Sequence, residues 1–279
     1  MKNRKKWLIV GALFLVLVIW IAWGDRALMR TDYTVESTAL PDAFDGFRIV
    51  HISDLHNTEF GTGNETLLAM IREAKPDMIA ITGDLIDSRR TDVDVAISFA
   101  REAAKIAPCY YVTGNHELRV EEFSRLEAGL RDAGVIVLRG EAAVLERNGQ
   151  SIRILGVDDP SLISREMDDH PEIMKKMLEK LAGEGFSLLL AHRPELFDVY
   201  CEQGMDLVLA GHAHGGQIRL PFIGGIYASG RFFPEYEDGH HVSGGTNMVV
   251  SRGLGNSLFP FRINNRPEVV VVTLRIPEE

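Results

Sequence analysis

The chain has 279 residues, 46% of them hydrophobic and 25% charged, a composition that excludes a low-complexity polymer and suits one domain with a sizeable core. Its formal net charge is −10, and four of its 30 basic residues (Lys2, Arg4, Lys5, Lys6) fall in the first six positions, against 40 acidic residues in the whole chain. Such a surface exerts no long-range pull on a polyanion, which disfavours a nucleic-acid enzyme.

Behind the basic start, Trp7 to Trp23 is an unbroken run of 17 residues without a charge, closed by Asp25 and Arg26. The run is at the lower edge for a bilayer-spanning helix and longer than the core of a signal peptide. Trp7, Trp20 and Trp23 mark its ends, where indoles favour the membrane interface. Only Ala22-Trp23-Gly24 approximates a cleavage site. Residues 1–24 are therefore read as an uncleaved signal anchor forming one transmembrane helix, 25–45 as a connector, and 46–279 as one globular domain. By the positive-inside rule the basic end stays in the cytoplasm, which predicts a single-pass protein of the cell membrane with an extracytoplasmic domain.

Phe47 to Ile52 reads as a buried strand ending at Ser53-Asp54. Asn64 is a candidate cap for a helix over 65–75, which Pro76 stops. Met78 to Ile81 is a second strand, ending in Thr82-Gly83-Asp84. A helix over 93–106 precedes the strand Cys109 to Val112, which ends in Thr113-Gly114-Asn115-His116, and another helix covers 119–132. Polar residues thus cluster just after each strand, on the edge where α/β sheets build their sites. The second half reads as strands at 135–138, 142–147 and 151–157, a helix at 170–182, strands at 187–191 and 205–210, a Gly- and Pro-rich stretch at 211–267, and a final strand at 269–275. The predicted fold is α/β: two mixed sheets packed face to face with helices outside, a four-layer α-β-β-α sandwich preceded by one transmembrane helix. Cys109 and Cys201 have apolar or aromatic neighbours and read as core thiols, with a disulfide or ligand role as the alternative.

A lone strand-end Asp is ordinarily a turn residue, and a lone His ordinarily a hydrogen-bonded one. The joint pattern carries more. Asp54-Leu55-His56 sets two ligand-type side chains two positions apart as a strand ends, and extended chain would point both the same way. His212-Ala213-His214 repeats the spacing, with Gly211, Gly215 and Gly216 allowing close backbone approach. Asp84 supplies a carboxylate whose two oxygens can bridge two cations, Asn115 a neutral oxygen and His192 a nitrogen.

These ordered blocks, Asp54-Leu55-His56, Gly83-Asp84-Leu85-Ile86-Asp87, Gly114-Asn115-His116-Glu117, His192 and Gly211-His212-Ala213-His214, resemble the calcineurin-like metallophosphoesterase superfamily. Ala191-His192-Arg193-Pro194, Gly211 to Ile218 and Ser251 to Gly255 narrow the resemblance to a bacterial membrane-associated branch, which includes cell-wall-associated phosphoesterases and UDP-diacylglucosamine pyrophosphatase-type enzymes. The resemblance extends to Arg266-Pro267-Glu268. It implies that Asp54, His56 and His214 bind one metal, that Asn115, His192 and His212 bind another, and that Asp84 bridges them. It also makes His116 the catalytic histidine and Asp87 the acid that orients and charges it.

Two cations about 3.5–4 Å apart would hold a bridging hydroxide for in-line attack on phosphorus. A nitrogen and oxygen ligand set without thiolate suits manganese first, then zinc or iron, with cobalt also compatible. The expected function is metal-dependent hydrolysis of a phosphate ester or pyrophosphate. Its expected partners are the bilayer, through the N-terminal helix, and a phosphorylated lipid, glycolipid or small phosphoester as substrate. The competing readings are a cell-wall-associated metal-binding module with little turnover and a broad soluble phosphodiesterase.

Arg193 and Arg252 are candidates for a substrate phosphate, with a surface charge or ion pair as the alternative. Asp158-Asp159-Pro160 is a turn or a site loop. Phe222, Phe232, Phe233 and Phe259-Pro260-Phe261 read as core aromatics, with a lipid groove or bilayer contact as the alternative. His51 is read as structural, and His170, His240 and His241 as exposed.

Overall fold

Short runs that are apolar throughout, such as Met78–Ile81 and Leu207–Ala210, are buried on both faces and form the centres of two sheets. The computed structural model describes residues 2–228, 231–256 and 259–278; Met1 of the expected anchor and Glu279 of the expected domain lie outside the described residues. Helix α1 spans Lys2–Gly24 and strand β1 spans Met29–Glu36. Then come β2 (Arg48–Ile52), α2 (Glu65–Ala74), β3 (Met78–Ile81), α3 (Val93–Ala104), β4 (Cys109–Tyr111), α4 (Phe123–Asp132) and β5 (Ile136–Val137). The second half runs β6 (Glu141–Arg147), β7 (Gln150–Gly156), α5 (His170–Glu179), β8 (Ser187–Leu190), α6 (Phe197–Glu202) and β9 (Leu207–Ala210). Two small hairpins follow, β10–β11 (Arg219–Leu220, Gly224–Gly225) and β12–β13 (Tyr227–Ala228, Arg231–Phe232). Strands β14 (Gly239–Ser243), β15 (Thr246–Val250) and β16 (Glu268–Arg275) complete the chain.

The strands form two six-stranded sheets, in the orders β1-β16-β2-β3-β4-β5 and β14-β15-β9-β8-β7-β6. Strands β2 to β5 run parallel, as do β7, β8, β9 and β15, while β16 is antiparallel to β2 and β14 and β6 are antiparallel edges. Side-chain alternation assigns each residue to a layer. Val270, Val272 and Leu274 of β16 join Ile49, Ala80, Leu188 and Leu209 in the core between the sheets. Val269 and Val271 face the other way and pack with Val50, Ile81 and the apolar stripes of α2 to α4. Leu189 and Val208 likewise pack beneath α5 and α6. The result is the expected α-β-β-α sandwich, and helix α1, unburied across its apolar window, is long and apolar enough to cross a membrane.

Several local expectations need correction. The stretch 25–45 is not a free connector, because β1 adds in parallel register to β16 and Phe44 is buried. Asn64 precedes α2 in the left-handed region at φ 63° without capping it; its Oδ1 instead accepts from Phe60 N at 3.0 Å. Helix α4 starts at Phe123, four residues after the expected 119, since Glu117–Arg119 is a separate 3-10 turn. Cys109 is buried but Cys201 is only half-buried, and both are free thiols. His170 is buried, with Nε2 3.0 Å from Ser164 O, and His240 and His241 are half-buried on β14, beside Asn247 Oδ1 and Asp238 O respectively. Phe222, Phe232 and Phe233 are exposed, so core packing is not their role.

Candidate metal centre

The polar residues that end β2, β3, β4, β8 and β9 meet at one edge of the sandwich, where both sheets present the C-terminal ends of their parallel strands. The extended-chain geometry expected for the paired ligands is not what brings them together. Asp54 (φ 54°), His56 (φ 46°), Asp84 (φ 52°), His212 (φ 66°) and His214 (φ 49°) all adopt the left-handed region, which side chains other than glycine rarely occupy. Such conformations persist only where surrounding contacts impose them. Here Asp54 N donates to Gly83 O and His56 N to Asp84 O, each at 3.0 Å, which lashes the turn after β2 to the turn after β3.

Glu117 performs a similar service from the β4 turn. Its buried carboxylate accepts the amides of Gly114 (2.8 Å), Asp84 (2.9 Å) and Ile86 (3.3 Å). Burial and the Asp84 charge push its pKa up to about 8, against the pull of those amides. Two glycines make the close packing possible: a Cβ on Gly114 would collide with the Asp84 carboxylate, and one on Gly211 with Ser53 Oγ. Gly211 therefore accommodates neighbouring protein atoms.

The donor atoms converge closely. His56 Nε2 and His214 Nε2 face each other at 3.1 Å, and Asp54 Oδ1 lies 3.2 Å from the latter and 3.9 Å from the former. His212 Nδ1 and His192 Nε2 are 3.2 Å apart. Between these pairs stands Asp84 Oδ2, 3.3 Å from His192 Nε2 and 3.7 Å from His56 Nε2. Asp84 Oδ1 accepts His116 N at 2.8 Å, so Oδ2 is the carboxylate oxygen that stands between the two clusters. Asn115 Oδ1 is buried without a hydrogen-bond partner.

An orphaned buried oxygen, and imidazole nitrogens turned on one another beside carboxylates, are what a cation-binding pocket requires. Asp54 with His56 and His214, His56 with Asp84 and His116, and Asp84 with His192 and His212 are three sets that can hold an ion. The outer ring nitrogens are held as ligands need: His192 Nδ1 is 2.7 Å from Thr82 O and His56 Nδ1 is 3.3 Å from Ile86 O, which leaves each Nε2 as the lone pair.

Electrostatics fit the same picture. Burial pushes the Asp84 carboxyl up, but the facing His192 imidazole pulls it well below the usual carboxylate range. Conversely, burial lowers His192 while Asp84 raises it to about 10, so this carboxylate demands positive charge at its Oδ2 side. His56 is lowered by burial to about 3, and burial and the Arg193 charge lower His212 to about 4, which keeps both rings neutral as ligands must be.

His116 borders the clusters, with Nε2 4.0 Å from Asp84 Oδ2. Asp87 faces it as an ion-pair partner, beyond hydrogen-bond distance. Its carboxylate stands 3.8 Å from His116 Nδ1 and accepts Arg89 N, while Ser88 N donates to that same Nδ1 at 3.0 Å. Nδ1 is therefore an acceptor, and the ring's proton sits on Nε2. Arg193 is buried and spoken for, with bonds to Asp159 at 2.7 and 3.1 Å and to Glu195 at 3.1 Å, so the ion-pair alternative holds for it. Asp159 also caps the 3-10 turn Pro160–Leu162, and Asp158 accepts from Thr113 Oγ1 and Arg139. Arg252 bonds Asp238 at 2.6 Å and lines a separate cavity of about 210 Å³ beside Trp20 and Trp23.

Sequence reasoning missed Glu117 as a brace and Arg262 altogether. Arg262 is buried, with Nη2 3.3 Å from His214 Nδ1 and Nη1 donating to Arg252 O at 2.8 Å. An arginine directly after the aromatic run Phe259-Pro260-Phe261 was the available signal. The cluster of donor atoms opens into a cavity of about 860 Å³. His116, Arg119 and Arg165 give its wall polarity, and Leu162, Ile163 and Phe259 give it apolar surface.

Comparison with known proteins agrees with this geometry. A family model described as calcineurin-like phosphoesterase matches residues 47–216. The chain is 32% identical over 250 residues to the uncharacterized metallophosphoesterase YkuE of Bacillus subtilis (strain 168), covering 88% of this chain and 85% of the relative. It is 29% identical over 238 residues to the phosphodiesterase YaeI of Escherichia coli (strain K12), covering 82% of each. The solved sulfate thiohydrolase SoxB of Thermus thermophilus superposes with a TM-score of 0.51 at 15% identity, over 85% of this chain and 57% of that one, a likeness of fold alone.

Proposed function

The chain belongs to the calcineurin-like phosphoesterase family and is a phosphoesterase hydrolase, and from that premise we propose a membrane-tethered enzyme that uses two divalent cations to hydrolyse a phosphorylated amphiphile of the envelope. In this reading Asp54, His56 and His214 would hold one cation, Asn115, His192 and His212 the other, and Asp84 would serve both. Residues 1–24 remain as an anchor and the domain lies outside the cytoplasm. The observation that carries the reading is the position of Asp84 Oδ2 between two converging donor clusters, 3.3 Å from His192 and 3.7 Å from His56.

Bound there, the cations would supply Lewis-acid charge to the phosphoryl oxygens and make water a competent nucleophile at neutral pH. Manganese is the first choice and zinc or iron the next, because the donor set holds no thiolate. The chain's own residues do the remainder. His116, with Nε2 at the rim of the clusters, is placed to donate a hydrogen bond to the charge that develops on the phosphoryl group and, as the imidazolium with Asp87 beside it, to protonate the leaving oxygen. Glu117 and the backbone lashings keep the ligand turns fixed, so that little reorganisation accompanies the reaction. Arg193 holds Asp159 and Glu195 beside His212 and shapes the wall. The mixed lining of the cavity suits a substrate with a phosphate head and an apolar body.

The decisive experiment combines metal analysis of the purified chain with a panel of a diester, a monoester and a lipid pyrophosphate. Wild type should contain two divalent ions per chain and turn over at least one substrate, and Asp84→Asn should lose both properties while staying folded. Near-wild-type turnover in a folded Asp84→Asn variant would overturn the two-cation reading. A reporter fused to the C-terminus tests orientation: an active cytoplasmic reporter would place the domain on the other side.

A further inference from the structure

The exposed apolar side chains of the small hairpins are not scattered. Phe222, Ile223, Phe232 and Phe233 are 109%, 62%, 72% and 61% exposed, the first two in the turn between β10 and β11 and the other two at the end of the next hairpin, in and just after β13. Phe222 (φ 68°) and Phe233 (φ 53°) occupy left-handed positions that glycine or asparagine would fill more easily. A large apolar ring at such a site needs a use other than turn geometry.

The position of these tips in the fold identifies that use. Helix α1 is fastened to the domain where it ends: the Arg266 guanidinium lies 5.2 Å over the Trp23 ring, its Nε donates to Ala27 O at 2.7 Å, and Asp25 Oδ1 accepts Arg262 N and Asn256 Nδ2. Asn256 also donates to Pro260 O at 3.3 Å. Beside it, the Phe259 ring is 6.3 Å from Tyr227, whose ring is 5.2 Å from Phe232. A path of contacts therefore leads from the end of the apolar helix to Phe232, and Phe233 N donates to Ile226 O next to the β10–β11 hairpin. Tyr227 and Phe259 also line the wall of the large cavity, so Phe232, the cavity wall and the helix end adjoin one another.

We propose that the hairpin tips, through Phe222, Ile223, Phe232 and Phe233, form a second membrane-contacting surface that seats the cavity mouth against the bilayer from which α1 emerges. The proposal rests on the reading of α1 as a transmembrane helix. The occupant is a lipid bilayer because Phe232 is joined to the end of that helix through Tyr227, Phe259 and Asn256. Insertion of aromatic side chains at the interface provides the contact, since the chain's net charge of −10 offers no electrostatic attraction to anionic lipid.

The test uses the full chain in phosphatidylcholine vesicles, with Cys201→Ser to remove the half-buried thiol and single cysteines at Phe222→Cys, Phe232→Cys, Val16→Cys in α1 and Glu146→Cys on the far edge strand β6. Each is labelled with an environment-sensitive fluorophore and challenged with nitroxide-bearing acyl chains and, separately, with aqueous iodide. Labels at 222 and 232 should be quenched by the lipid nitroxide, as at 16, while the label at 146 responds only to iodide. If 222 and 232 behave like 146 while 16 is lipid-quenched, the seating is wrong and the anchor stands. If 16 also fails to respond to lipid, the anchor reading falls and the seating with it.

Discussion

Glu117 offers a quantitative test of how the site is held. Three backbone amides, those of Asp84, Gly114 and Ile86, end on its buried carboxylate. Glu117→Ala strands all three, and at about 1–3 kcal/mol for each unsatisfied buried donor the loss is roughly 3–9 kcal/mol. An opposing contribution exists, because a carboxyl whose pKa is raised from 4.5 to about 8 disfavours folding at pH 7 by about 3 kcal/mol, and alanine removes that burden. Glu117→Gln removes it too, yet its remaining oxygen can still serve Asp84 and Gly114. The two variants share the electrostatic gain, and alanine additionally strands two amides and leaves a cavity, so the alanine variant should be less stable than the glutamine variant by at least about 2 kcal/mol. Urea unfolding of the chelated chain at pH 7 measures the difference. Metal analysis reads the site itself, where loosening such outer supports lowers affinity about 10–100-fold. Alanine and glutamine variants of equal stability, with the alanine form retaining wild-type metal content, would refute the bracing role.

The 3.8 Å gap between Asp87 and His116 predicts unequal kinetic effects. His116→Ala should lower kcat by about 10²–10⁴, while Asp87→Asn should cost less than about tenfold; equal losses would restore Asp87 as the residue that charges the histidine. His51 is buried, hydrogen-bonded to Thr82 Oγ1 at 2.7 Å, and held by burial near pKa 3 against 6.5 when unfolded. The unfolded chain binds a proton there that the folded chain refuses, so the contribution is intact above about pH 6.5 and is lost as pH falls towards 3, with a slope of about 1.4 kcal/mol per pH unit. His51→Gln should remove one proton's worth of that slope in denaturation measured between pH 6 and 4; an unchanged slope would place the acid sensitivity elsewhere.

The chemistry of the site was legible because each ligand block closes a strand with its own apolar signature, as in Ile49–Ile52 before Asp54 and Leu207–Ala210 before Gly211. The five blocks therefore announced both the sheets and the edge where they meet. What escaped has physical reasons. Strand β1 reads Met-Arg-Thr-Asp-Tyr-Thr-Val-Glu, a true two-residue alternation, but an edge strand needs so little apolar surface that it passed for a connector. The left-handed turns at Asp54, His56 and Asp84 are imposed by hydrogen bonds between turns far apart in sequence, so no local propensity reveals them. Composition likewise concealed the burial of His170, which depends on a carbonyl six residues away, and that of Arg262, which depends on a ring of acceptors assembled by the fold. Helix α4 was placed early because the residues that precede it serve the site as a 3-10 turn.

The short passage between α1 and β1 has a kinetic consequence. Only residues 25–28 separate Gly24 from Met29, and even drawn out straight they would reach about 14 Å. Arg266 and Arg262 pin that passage to the domain, so it acts as a ruler and not as a leash. On the proposed reading, the enzyme works at one altitude above the membrane plane, and its encounters with substrate are two-dimensional. Velocity should then follow the surface density of the substrate and fall when inert lipid is added at constant bulk concentration, in the manner of surface dilution.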